Sequence, residues 1–76
     1  MNKARRKELN RAVELLEEAK DIIEICKDEE MEYLENIPEN LQNSEKYEMA
    51  DSAVYALERA CESVDEAIDS VEEASE

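Results

Sequence analysis

Met49-Ala50-Asp51-Ser52-Ala53-Val54-Tyr55, Ala56-Leu57-Glu58-Arg59-Ala60-Cys61-Glu62, Ser63-Val64-Asp65-Glu66-Ala67-Ile68-Asp69 and Ser70-Val71-Glu72-Glu73-Ala74-Ser75-Glu76 are four heptads joined without a gap. The fifth position is alanine each time: Ala53, Ala60, Ala67, Ala74. The second holds Ala50, Leu57, Val64 and Val71, and the sixth holds Val54, Cys61, Ile68 and Ser75. The third is always acidic, as Asp51, Glu58, Asp65 and Glu72. Apolar residues recurring in this way specify an amphipathic helix that packs along a seam against another helix. A repeated small residue lets two backbones approach closely while the flanking aliphatics interlock. A packing seam accounts for these apolar positions.

Upstream, the apolar residues Leu9, Ala12, Leu16, Ala19, Ile23, Cys26, Tyr33 and Leu34 also recur at helical spacing. Val13 flanks this stripe on one side, with Leu15 and Ile22 on the other. Asn36-Ile37-Pro38 ends the first helix, because the residue before proline is pushed out of the α region. Pro38–Gln42 suits a single turn, with Ile37, Leu41 and Tyr47 packed inward over the open end. Ser44 is the N-cap of the second helix, with Glu45 in its first turn. The expectation is an all-α chain forming one domain over residues 1–76. It is an antiparallel, coiled-coil-like two-helix hairpin: helix from about 3 to 35, loop 36–44, helix 45–75.

Composition removes most chemistries. The 76 residues include no Gly, His, Trp or Phe. Without glycine no phosphate-cradling loop forms, since those motifs need close backbone approach. Without histidine the usual general base and most zinc and di-iron ligand sets are gone. Calcium-loop spacing is absent too. The expectation is no enzyme, no cofactor and no metal. Cys26 and Cys61 both fall on apolar stripes and read as small core hydrophobes. With a turn near residue 40 they sit about 10 Å apart along the hairpin, too far for a disulfide, which fits a reducing cytoplasm. The basic start Lys3-Ala4-Arg5-Arg6-Lys7 has no apolar region after it, so no signal peptide is read. No apolar run approaches membrane-spanning length.

Charge is the most informative feature. The net charge is −14. Residues 1–11 carry net +4, while residues 12–44 and 45–76 carry −9 each. Cations at the start of the first helix and anions at the end of the second both oppose the helix dipole. An antiparallel hairpin resolves this by laying Lys3–Arg11 beside the Glu62–Glu76 tail. Exposed pairs are worth about 0–1 kcal/mol, so this selects orientation more than it stabilises. Between Glu58 and Glu76 there is one carboxylate per roughly 3.4 Å of axis, close to the linear density of charge on one DNA strand. Glu58, Glu62, Asp65, Glu66, Asp69, Glu72 and Glu73 are the expected partner-binding residues. Tyr55, on the same helix among acids, is a candidate anchor. Solvation alone accounts for any single one of these carboxylates.

The stripe on the first helix covers roughly half its circumference, more than one partner helix needs. Ile25 lies further round still. A lone hairpin leaves some of this in water, whereas a homodimer forming a four-helix bundle covers it. The expectation is a homodimer with Leu15, Ile22 and Ile25 as self-association residues.

Asn36-Ile37-Pro38-Glu39-Asn40-Leu41-Gln42-Asn43-Ser44-Glu45-Lys46-Tyr47, followed by the Ala56–Ala60 and Asp65–Ala74 runs, resembles small acidic proteins of phages and mobile elements of Gram-positive bacteria. The likeness covers nearly the whole chain and is most specific over Pro38–Glu45. It implies a small accessory role in the host cytoplasm, with host-defence or nucleic-acid machinery as the target. The leading function is therefore a non-enzymatic inhibitor or modulator. It would present a DNA-mimic-like helix face to a basic, nucleic-acid-binding protein, such as a defence nuclease or CRISPR effector. Direct nucleic-acid or membrane binding is not expected. Two alternatives remain: an assembly module acting through self-association, and a sponge for a small ligand.

Overall fold

The computed structural model describes all 76 residues. Helix α1 spans Lys3–Glu35, a single 3₁₀ turn spans Glu39–Leu41, and helix α2 spans Glu45–Ala74. The two helices pack antiparallel into a rod of 59 × 15 × 13 Å, without strands.

Local chemistry sets the boundaries. The side chain of Asn2 accepts a hydrogen bond from the Arg5 amide at 2.7 Å and caps α1. Asn36 closes α1, and Pro38 then holds extended backbone (φ −57°, ψ 147°) that no helix can continue. Ser44 Oγ accepts from the Tyr47 amide at 3.3 Å, so the expected N-cap of α2 is in place.

The seam on α2 runs where the heptads place it. Ala50, Val54, Cys61 and Ile68 are buried, and Leu57, Val64, Val71 and Ser75 are half-buried between them. The alanines Ala53, Ala60 and Ala67 sit on one shoulder of this seam rather than at its centre, and Ala74 is exposed.

On α1 the seam lies elsewhere than the apolar stripe suggests. It follows Leu9, Val13, Leu16, Lys20, Ile23, Lys27, Glu30 and Leu34, all half-buried at alternating spacings of four and three. Ala19, Cys26 and Tyr33, expected in the seam, are exposed. The stripe is wider than the seam, and α2 occupies only one edge of it. Two lysines become tolerable there because their aliphatic stems cover apolar surface while the ammonium reaches out. Cys26 is therefore not a core hydrophobe. Only Cys61 is, and both thiols are unpaired. Leu41 is 48% exposed and does not close the core, whereas Ile37 and Tyr47 are half-buried as expected.

The result is a thin core. Only four residues are buried, all on α2, and none of α1 is.

Candidate acidic binding face

In an antiparallel pair, the residues flanking the seam on one side of α1 lie beside those flanking it on the same side of α2. Lys20 marks one side. Its Nζ lies 2.8 Å from Asp65 Oδ1 and 3.7 Å from Glu24 Oε1, so it joins carboxylates of both helices. A hydrogen bond to Asp65, first among the causes, raises the Lys20 pKa above its usual 10.5, with the charges of Asp65 and Glu24 adding to it. Desolvation opposes the rise.

Around Lys20 the heptad rows assemble one acidic face. From α2 come Asp51, Glu58, Asp65 and Glu72, and further out Glu62, Asp69 and Glu76. From α1 come Glu17 and Glu24, and further out Glu14, Asp21 and Asp28. The α1 carboxylates were missed by reading α2 alone. The signal that finds them is their heptad position, equivalent to that of the α2 acids and so brought beside them by antiparallel packing.

Of the expected binding residues, Glu62, Asp65, Asp69 and Glu72 are exposed on this face, and Glu58 is half-buried at its inner margin. Glu66 and Glu73 are exposed but belong to the row of Ser52 and Arg59, on the outer flank of α2. Tyr55 is 65% exposed and shares its row with Glu62 and Asp69. Asp65 is also a structural partner, since it holds Lys20.

The basic start does lie beside the acidic tail, with Arg6 Nη2 donating to the Glu76 carbonyl at 3.4 Å. Arg11 pairs within its own helix, 3.7 Å from Glu8.

The opposite face is different in kind. Tyr33 of α1 meets Met49 and Ala53 of α2 around one shallow hollow, which fixes these flanks on a common side. Along that side run Ala12, Leu15, Ala19, Ile22 and Cys26 of α1, and Ala56, Ala60, Ser63, Ala67, Ser70 and Ala74 of α2. Its helical rows carry only two carboxylates, Glu8 and Glu29. Leu15 and Ile22 are 55% and 59% exposed here, and Ile25, at the rim, is 58% exposed.

A hollow of about 320 Å³ at the loop end, lined in part by Tyr33, Ile37, Pro38, Leu41 and Lys46, offers no cluster of reactive groups. No helix is long and apolar enough to cross a membrane. No family model, no curated protein and no solved structure matches the chain.

Proposed function

We propose that the chain is a non-enzymatic binding protein whose acidic face occupies the basic, nucleic-acid-binding groove of a protein partner. The observation that carries this is the convergence of carboxylates from two helices on one side of an elongated rod. A groove built for phosphates reads a line of negative charge, and a helical hairpin already folded presents that line at a reduced ordering cost. Tyr55, exposed within the face, supplies an apolar anchor beside the charges. The resemblance to phage and mobile-element proteins puts a host defence nuclease, a CRISPR effector or another nucleic-acid-processing factor first among targets. The working unit in this reading is a homodimer, favoured by the exposed Leu15, Ile22 and Ile25.

The test is competitive. A partner captured from host lysate is to lose its nucleic acid when the chain is added. The variant Glu62→Lys, Asp69→Lys, Glu72→Lys, chosen because none of these side chains is in an ion pair, is to keep its helicity and lose that effect. A folded triple variant that competes like wild type overturns the assignment, as does a partner that binds the chain and nucleic acid together.

A further inference from the structure

The exposed area of the chain is 6014 Å², whereas a folded protein of 8.8 kDa ordinarily exposes about 4800 Å². The excess, roughly 1200 Å², exceeds the roughly 800 Å² that each partner buries in a standard interface. Charge says which side can supply it. Two acidic faces repel, while the opposite face carries few carboxylates and leaves Leu15, Ile22 and Tyr33 uncovered.

That face is not uniform. Its α1 half is bulky and its α2 half is small, with Ala56, Ala60 and Ser63 at the centre. We propose that two copies pack apolar face to apolar face about a two-fold axis parallel to the helices, α1 of each lying antiparallel along α2 of the other. Bulky side chains then enter the shallow small-residue row, and every neighbouring pair of helices is antiparallel. An axis perpendicular to the helices would stack bulk on bulk and leave the small rows apart.

Symmetry also sets the register. Rotation about an axis parallel to the helices leaves height along them unchanged, so residues level within one hairpin are level across the interface. Lys20 lies against Asp65 within the hairpin, which places Ile22 of one copy beside Ser63 of the other. The acidic faces then point outward on opposite sides, giving the partner-binding surface proposed above in two copies.

This rests on the homodimer reading, and the measurements separate the two. Sedimentation equilibrium of the wild type is to show a dimer, and a monomer overturns both. Ser63 is exposed, so Ser63→Leu leaves the hairpin intact by circular dichroism. It overfills the small row and is to weaken the dimer about tenfold, with Ile22→Ala in the same chain restoring affinity. Unspecific apolar association predicts the opposite, a tighter Ser63→Leu dimer, and that result overturns the arrangement. In a Cys26→Ala, Cys61→Ala, Ile22→Cys, Ser63→Cys chain, mild oxidation is to link position 22 of one copy to position 63 of the other. A link between two copies of position 22, or only monomeric product, overturns it.

Discussion

Lys20 stands where a coiled-coil seam ordinarily carries an aliphatic side chain, and it is tolerated because two carboxylates meet it there. A polar residue at a single seam position fixes register, since sliding the helices would strand its charge. Because the folded pKa of Lys20 is raised, its contribution to stability is complete below 10.5 and is lost as pH climbs through the folded value. The midpoint Tm of the wild type is therefore expected to fall more steeply above pH 10.5 than that of Lys20→Met. Parallel curves for the two proteins would remove Lys20 from the stability of the seam. The same contact makes Asp65→Lys unlike other reversals on the acidic face. It places two ammonium groups within ion-pair distance and is expected to lower Tm, where Glu62→Lys is not.

At the scale of the helices, the buried side of α2 is the element most sensitive to charge. Ile68 is 8% exposed, and an unpaired carboxylate there costs several kcal/mol, against a total of about 4–11 kcal/mol for a chain this long. Ile68→Asp is expected to abolish the helical circular dichroism signal. Ile25→Asp, on the rim at 58% exposure, is expected to keep it and to weaken only the proposed self-association. Equal helicity in both variants would show that the seam is not where the burial places it. The helix ends, the N-cap at Ser44, the break at Pro38 and the α2 seam were legible in the residues, because each rests on local chemistry or on an unbroken heptad. The α1 seam was not. Its stripe from Leu15 round to Val13 is wide enough to hold two seams, and periodicity weights them equally. The partner helix decides between them, leaving Lys20, Lys27 and Glu30 inside and Ala19, Cys26 and Tyr33 outside. The acidic face was half legible for a related reason. The α2 row is continuous in sequence, whereas the α1 acids join it only through antiparallel pairing.

Across the whole molecule, a net charge of −14 on 76 residues acts with opposite signs on folding and on the binding proposed for it. Within the rod, carboxylates of both helices crowd one side, and their mutual repulsion opposes the packed state. Lys20 and Lys27 offset it only locally, at Glu24, Asp65 and Asp28, and the N-terminal cluster lies at one end of the rod. Raising salt from about 0.1 M to about 1 M shortens the Debye length from roughly 10 Å to roughly 3 Å and relieves that repulsion. Tm is therefore expected to rise with sodium chloride over this range. The same screening would weaken the long-range attraction between the acidic face and the basic groove proposed for it, so association with such a partner is expected to slow by tenfold or more. The pair of measurements is sharper than either alone. A protein stabilised by surface ion pairs would lose Tm as salt rises. A partner held by the apolar face would show association indifferent to salt. Rising Tm with falling association rate, measured on one preparation by calorimetry and by stopped flow, is the outcome that a charged face serving a partner requires.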